Sequence, residues 1–495
     1  MIKQASLAGM AIIVVAGTTP TCALALRARA DDMQVNTYTT GSQSKSKIAA
    51  RPDGSFVVVW QGGGQQDGSA TGIFGQRFSA DGSPLGLETQ INEITASVEH
   101  LPAIAATSEG GFVVAWLGLF DGTLGFPAVG RLLDAGGAPV GGDFPLSQGG
   151  GLVSSIAVVA APSGGFVAVW EETPFLTSDG ETDVFARSFD SGGTAHGPAF
   201  MVNTYTTGNQ TVPEVAVSPN GDIVAAWVST GQDGDSNGIF ARRFGALLTG
   251  GGPELMINEA TTGSQATVAV AADPDGGFVV VWSSEYDIED RHFRRIKGRL
   301  LDDFGGPIGS EAAISDADKE SASSPKVASI GAGAFAITWG QGDGNRPEKE
   351  EVAGRVFDRN LDAQTSEFIV SLYTAVDRVA PAVASAGDGG FTVTWSSLRK
   401  FSAVPDGRDG SSSGVFLRRF GIEPPCGDAD GDERLTAADA LAVLRSSVSA
   451  GNCDLCLCDV DRSGATSASD ARDVLRLAIG LATPTHCPDC TAAIR

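Results

Sequence analysis

Oxygen-bearing side chains recur near the C-terminus at the spacing of a calcium loop. In DADGDERLTAAD, 428–439, the alternate positions are Asp428, Asp430, Asp432, the carbonyl of Arg434, Thr436 and Asp439. In DVDRSGATSASD, 459–470, they are Asp459, Asp461, Ser463, the carbonyl of Ala465, Ser467 and Asp470. Hard oxygen donors at such positions are what Ca²⁺ takes, so the spacing predicts two bound ions. Glu433 stands where a glycine usually makes the sharp turn, and the second loop carries fewer carboxylates than the first.

Each loop runs into a segment with helical periodicity, ADALAVLRSSV and DARDVLRLAIGL, with the last carboxylate of the loop at the helix start. Cys426, Cys453, Cys456, Cys458, Cys487 and Cys490 lie in the same region. Their spacing admits a zinc site, but disulfides are the expectation for an exported chain; the connectivity stays open.

The tandem loops, each followed by a helix with no incoming one, resemble the type I dockerin family over 426–490. The resemblance implies a Ca²⁺-dependent module that docks onto a cohesin-like partner. It places partner contacts at Ala437, Ala438, Leu444 and Arg445, and at Ala468, Ser469, Leu475 and Arg476. The matching Leu-Arg pairs keep an internal two-fold symmetry that allows two docking orientations.

Other chemistry is sparse. The histidines, His100, His196, His292 and His486, show no metal-ligand spacing. No nucleophile elbow, zinc-protease motif or phosphate loop occurs. No catalytic residue is assigned. Asp233, Asp235 and Asn237 in GQDGDSNG have oxygen atoms to offer a cation, but ordinary turn chemistry is the expectation.

The rest of the chain is a repeat. Trp60, Trp116, Trp170, Trp227, Trp282, Trp339 and Trp395 are spaced by 54 to 57 residues, and each ends an apolar run after a turn. Four short β-runs per repeat predict one four-stranded propeller blade. Small-residue strands such as IAA at 48–50 and AIAA at 103–106 suit the crowded axis. A further position reads Gln76, Arg131, Arg187, Arg242, Arg299, Arg355 and Arg418. An arginine ring between blades is the expectation, stacked on the tryptophans or paired with turn carboxylates.

The predicted fold class is therefore mainly β: a seven-bladed β-propeller over 31–421, a linker at 422–427, and a small α-helical Ca²⁺-binding dockerin-like domain over 428–490. Residues 33–38 are expected to complete the last blade and close the ring, leaving no open edge. Residues 1–30 read as a signal peptide, Lys3 preceding an apolar stretch and small residues. Secretion, with or without cell-surface attachment, follows as an expectation. No later segment has the length of a transmembrane helix. A net charge of −25 argues against nucleic acid.

Uniform blades without a catalytic constellation predict a secreted non-catalytic binding protein whose propeller takes a glycan or protein ligand. The alternatives are a polysaccharide-degrading hydrolase or lyase, and a cell-surface adhesin. The enzyme reading directs attention to the irregular insertions ETPFLTSDGETD, EYDIEDRHFRR and GDGNRPEKEE in repeats 3, 5 and 6.

Overall fold

The computed structural model describes residues 25–423 except 69, 96–97, 119–125, 149, 176–179, 289–290, 317–320, 332, 344–345, 373–376, 388 and 399–412. It also describes 437–448, 458 and 466–478. The chain divides into two units, Leu26–Ile422 and Met1–Ala25 with Glu423–Arg495.

The larger unit is a β-propeller. Repeat 1 shows the pattern: inner strand Gln43–Ala50, tryptophan strand Phe56–Gly63, third strand Thr71–Phe78 and outer strand Pro84–Gln90, hydrogen-bonded in that order. The tryptophan strand is apolar on both faces because each face meets a different neighbour. In repeat 4, Ile223, Ala225 and Trp227 pack against Val167 and Val169 of repeat 3. The alternate residues Val224, Ala226 and Val228 pack against Val280 and Trp282 of repeat 5. All seven tryptophans are buried. Trp60, Trp227 and Trp282 donate their indole N–H to Gln43, Gln210 and Gln265 at 3.1, 3.1 and 3.2 Å.

The sequence predicts seven separate blades; the structure corrects this. Five sheets of four or five strands stand as separate blades, and repeats 5 and 6 share one eight-stranded sheet. The cause is length. Strands Phe278–Ile288 and Arg291–Leu301 have 11 residues each, against 8 in repeat 1. The longer hairpin reaches the next inner strand, where Arg294 pairs in parallel with Ser321.

Polar links tie neighbouring blades. Backbone N–H groups of Thr37, Glu93, Thr204 and Glu259 donate to the carboxylates of Glu88, Asp143, Glu254 and Glu311 at 2.6, 2.9, 2.6 and 2.5 Å. Arg131, Arg242, Arg299 and Arg418 donate to the carbonyls of Ile91, Val202, Ile257 and Val370 in the preceding repeat at 2.8–2.9 Å. These arginines form interblade bolts. Arg187, Arg242, Arg355 and Arg418 also stack 5.2–5.7 Å from the rings of Phe189, Phe244, Phe357 and Phe420, so phenylalanine, and not tryptophan, receives them.

The first and last repeats meet in the same way. Met33 and Gln34 pair with Leu417 and Phe416. Val35 joins Trp60, Ala382 and Leu417 in one apolar cluster. The N–H of Leu372 donates to Asp32 at 3.0 Å.

In the smaller unit, helices Ala437–Val448 and Ala468–Ala478 pack together, burying Ala440, Val443, Ala471 and Val474. No helix among the described residues is long and apolar enough to cross a membrane.

Candidate functional site

The inner strands build the site. Each carries one β-bulge, for example between Ser44 and Lys47 or between Thr211 and Glu214. The bulges put Lys45, Leu101, Val212, Thr267, Ser324 and Ala380 at positive φ, from 44° to 59°. That region is disfavoured for residues with a side chain, most of all for β-branched Val212 and for residues preceding proline, as Leu101, Val212, Ser324 and Ala380 do. Such strain gathers at functional sites when the surroundings enforce it.

The enforcement is visible. The buried carboxylate of Glu171, directly after Trp170, accepts from the Val212 N–H through Oε2 and from Ser154 Oγ through Oε1 at 2.8 Å. Thr267 Oγ1 lies 2.8 Å from Ser283 Oγ. Thr394 Oγ1 donates to buried Ser46 Oγ at 3.1 Å. In each case a tryptophan strand holds an inner-strand bulge.

The bulges line a cavity of ≈ 300 Å³, at the lower end of small-ligand pockets. A second cavity of ≈ 140 Å³ is lined by the following residues of the same strands. Lys47, Glu214 and Lys326 line both, so they stand at the junction. Register identifies them as equivalent: they face Val59, Ala226 and Thr338, each the residue before a tryptophan. The same place in repeats 2, 3, 5 and 7 holds Ala103, Ala157, Ala269 and Ala382. Blade packing is thus satisfied by alanine, and three repeats depart from it with charges.

Lys326 Nζ and the Glu214 carboxylate form an ion pair, with side chains 24% and 26% exposed. The Lys326 ammonium, together with burial, pushes Lys47 down to about 8, against the opposing pull of Glu214. Burial works to raise Glu214, but Lys326 and then Lys47 more than offset it and hold its carboxyl below the usual value. The junction thus holds an acid kept below its usual value and a lysine pushed down to about 8, with the Lys326 ion pair between them.

The sequence missed these residues because they directly precede the small-residue strand motif, as in Lys47 before Ile48-Ala49-Ala50. The readable signal was a charge where sister repeats carry alanine.

Other sequence candidates fall elsewhere. Asp233 accepts from Asn258 Nδ2 at 3.0 Å, Asp235 from the Gly263 N–H at 2.8 Å, and Asn237 Nδ2 donates to Ser264 at 3.1 Å. These are loop-fixing bonds. His100 packs edge-on against Phe126, with centroids 5.4 Å apart, and does not line the cavity.

Of the calcium-loop positions, Asp439, Ser467 and Asp470 are described. Both aspartates are fully buried. Asp470 accepts from the N–H and the hydroxyl of Ser467, each at 2.8 Å, which is a capping arrangement at the helix start. Asp428, Asp430, Asp432, Arg434, Thr436, Asp459, Asp461, Ser463 and Ala465 lie outside the described residues. No cluster of three or more acidic, His or Cys side chains suited to a metal occurs among the described residues. Leu444 and Leu475 are exposed on their helices. Cys458 is buried and disulfide-bonded; the other cysteines lie outside the described residues.

No family model matches the chain, and no curated protein matches it. Solved structures share the fold. A Dyadobacter fermentans protein of unknown function aligns with TM-score 0.49 and 10% identity, over 80% of this chain and 99% of that one. An α-L-arabinanase of Penicillium chrysogenum aligns with TM-score 0.41 and 12% identity, over 64% and 92%. An ulvan lyase aligns with TM-score 0.43 and 11% identity, over 66% and 81%. At these identities the likeness describes the fold. The expectation of a non-catalytic scaffold is nonetheless corrected. It rested on uniform blades, and Lys47, Glu214 and Lys326 break that uniformity.

Proposed function

We propose that the propeller cleaves an acidic polysaccharide by β-elimination at the junction of the two cavities. The observation that carries this reading is the convergence of Lys47, Glu214 and Lys326 where alanine suffices elsewhere. A two-carboxylate hydrolase needs a second acid within roughly 5–10 Å of the first. Among the described residues, Glu214 is the only acid lining either cavity, and it is held below its usual value. A lyase needs a cation beside the uronate carboxylate and a base with a pKa near the working pH.

Lys326, fixed by Glu214, neutralises the carboxylate and so stabilises the carbanion-like charge that develops. Neutral Lys47 Nζ takes the proton from the carbon α to that carboxylate. The electron pair becomes a carbon–carbon double bond as the glycosidic C–O bond at the β-carbon breaks. Lys47 then returns the proton to the departing oxygen, so no outside reactant is needed. The test is incubation of the purified chain with polyuronates. Growth of ultraviolet absorbance from the unsaturated uronate supports elimination; new reducing ends without that absorbance support hydrolysis and overturn it.

For the smaller unit we propose two Ca²⁺ sites on the loops that end at Asp439 and Asp470, as the dockerin resemblance implies, with export from the cell after removal of the leader. Calorimetric titration of the chelated protein with Ca²⁺ tests the first part.

A further inference from the structure

Lys45 lines the same ≈ 300 Å³ cavity as Lys47 and Lys326. It is exposed and sits at the bulge with φ +59°. The bulge residues at positive φ in other repeats, Leu101, Val212, Thr267, Ser324 and Ala380, carry no charge. A left-handed conformation is disfavoured for a residue with a side chain. Ser46, the next residue, is buried and bonded to Thr394 of repeat 7, so the bulge is held in place. One residue, Ser46, separates Lys45 from Lys47, so one inner strand supplies two lysines to the same cavity.

The charge balance is local. The chain carries −25 overall, yet three lysines and one glutamate line this cavity. Glu214 is already paired with Lys326. Lys45 has no role in the elimination itself, and blade packing does not require it.

We propose that Lys45 is a specificity-determining residue that engages an anionic group on the sugar next to the one held at Lys47, so that the preferred substrate is a glycan charged on consecutive residues. The proposal rests on the reading of the channel as a saccharide site. The electrostatic effect of Lys45 on Lys47 agrees with its closeness to the reacting position.

The full chain, Lys45→Gln and Lys45→Arg are compared by calorimetric binding and by kcat and KM on two probes. One is an oligogalacturonate, carboxylated on every unit. The other is an oligosaccharide that alternates uronate with a neutral hexose. Lys45→Gln is expected to weaken binding and raise KM about three- to five-fold on the first probe and less than about 1.5-fold on the second. Lys45→Arg is expected to restore the difference. Equal losses on both probes, or none on either, would overturn the assignment of Lys45 while leaving the channel intact. Failure of the unaltered chain to bind either probe would overturn both the assignment and the channel reading. Binding without cleavage would remove the elimination alone and leave Lys45 to be judged on affinity.

Discussion

Lys47 carries the heaviest demand at the residue scale. In the unfolded chain its ammonium titrates near 10.5, and in the fold near 8. Between these values the unfolded state binds more protons, so stability rises with pH across that window. Below it, the partly buried ammonium beside Lys326 costs the fold on the order of 2–3 kcal/mol. Lys47→Met is therefore expected to be more stable than the natural protein at pH 7, with the advantage fading from pH 8 towards pH 10.5. Denaturant midpoints across that range check this, and a pH-independent difference would contradict it. The same titration sets catalysis. kcat/KM should rise through pH 8 as Lys47 becomes neutral. Lys326→Gln removes the ammonium that depresses it most, so the limb should move to higher pH in a pH–rate profile. Neither residue stood out in sequence, because a single lysine beside a small-residue strand reads as solvated polarity. Only the register, which puts repeats 1, 4 and 6 around one axis, makes the charges converge.

At the scale of elements, the blades were legible and the bulges were not. A tryptophan recurring every 54 to 57 residues after an apolar run reports a strand buried on both faces, and the structure has those strands. The fusion of repeats 5 and 6 was hidden, because periodicity gives strand order but not how far a hairpin extends. The bulges were hidden because left-handed backbone at Leu101, Val212 or Ala380 has no side-chain signature where glycine is absent. Glu171 shows how the elements cooperate: it lies between Trp170 and the irregular insertion of repeat 3 and clamps the bulge that presents Glu214. Glu171→Ala leaves the Val212 N–H and Ser154 without that acceptor, at a cost of about 1–3 kcal/mol. Chemical denaturation should read that loss, with a larger fall in kcat than Glu171→Gln, which keeps an acceptor. Equal kcat in the two variants would argue that the clamp does not position the site.

For the whole molecule, the seam between first and last repeats decides whether the inner strands stay gathered about one axis. The strand Ser413–Glu423 is covered by Ala25–Ala28 and by Met33–Gln34, and Asp32 reaches Leu372. Removing residues 31–35, which follow the expected leader, takes away the Met33–Gln34 pairing, and an exposed edge invites pairing with another chain. The truncated protein is expected to melt earlier and to associate, read by calorimetry and light scattering; an unchanged monomer would contradict the role of the seam. The calcium proposal has its own signature. An ion bound only by the folded module stabilises it by about 2.7 kcal/mol at a hundred-fold excess over Kd. The melting of the smaller unit should therefore shift upward with Ca²⁺ and return with chelator. The calcium proposal comes from the spacing of loop oxygens in the sequence, whereas the cavity charges follow tertiary register, which no sequence spacing shows.

The most direct test of elimination at the channel is a time course of unsaturated-product absorbance on oligogalacturonate, comparing the natural chain with Lys47→Ala at pH 8. Product from the natural chain and a fall of at least about 10²-fold in the variant are the predicted result. Equal rates in the two proteins, or no unsaturated product from the natural chain, would contradict it.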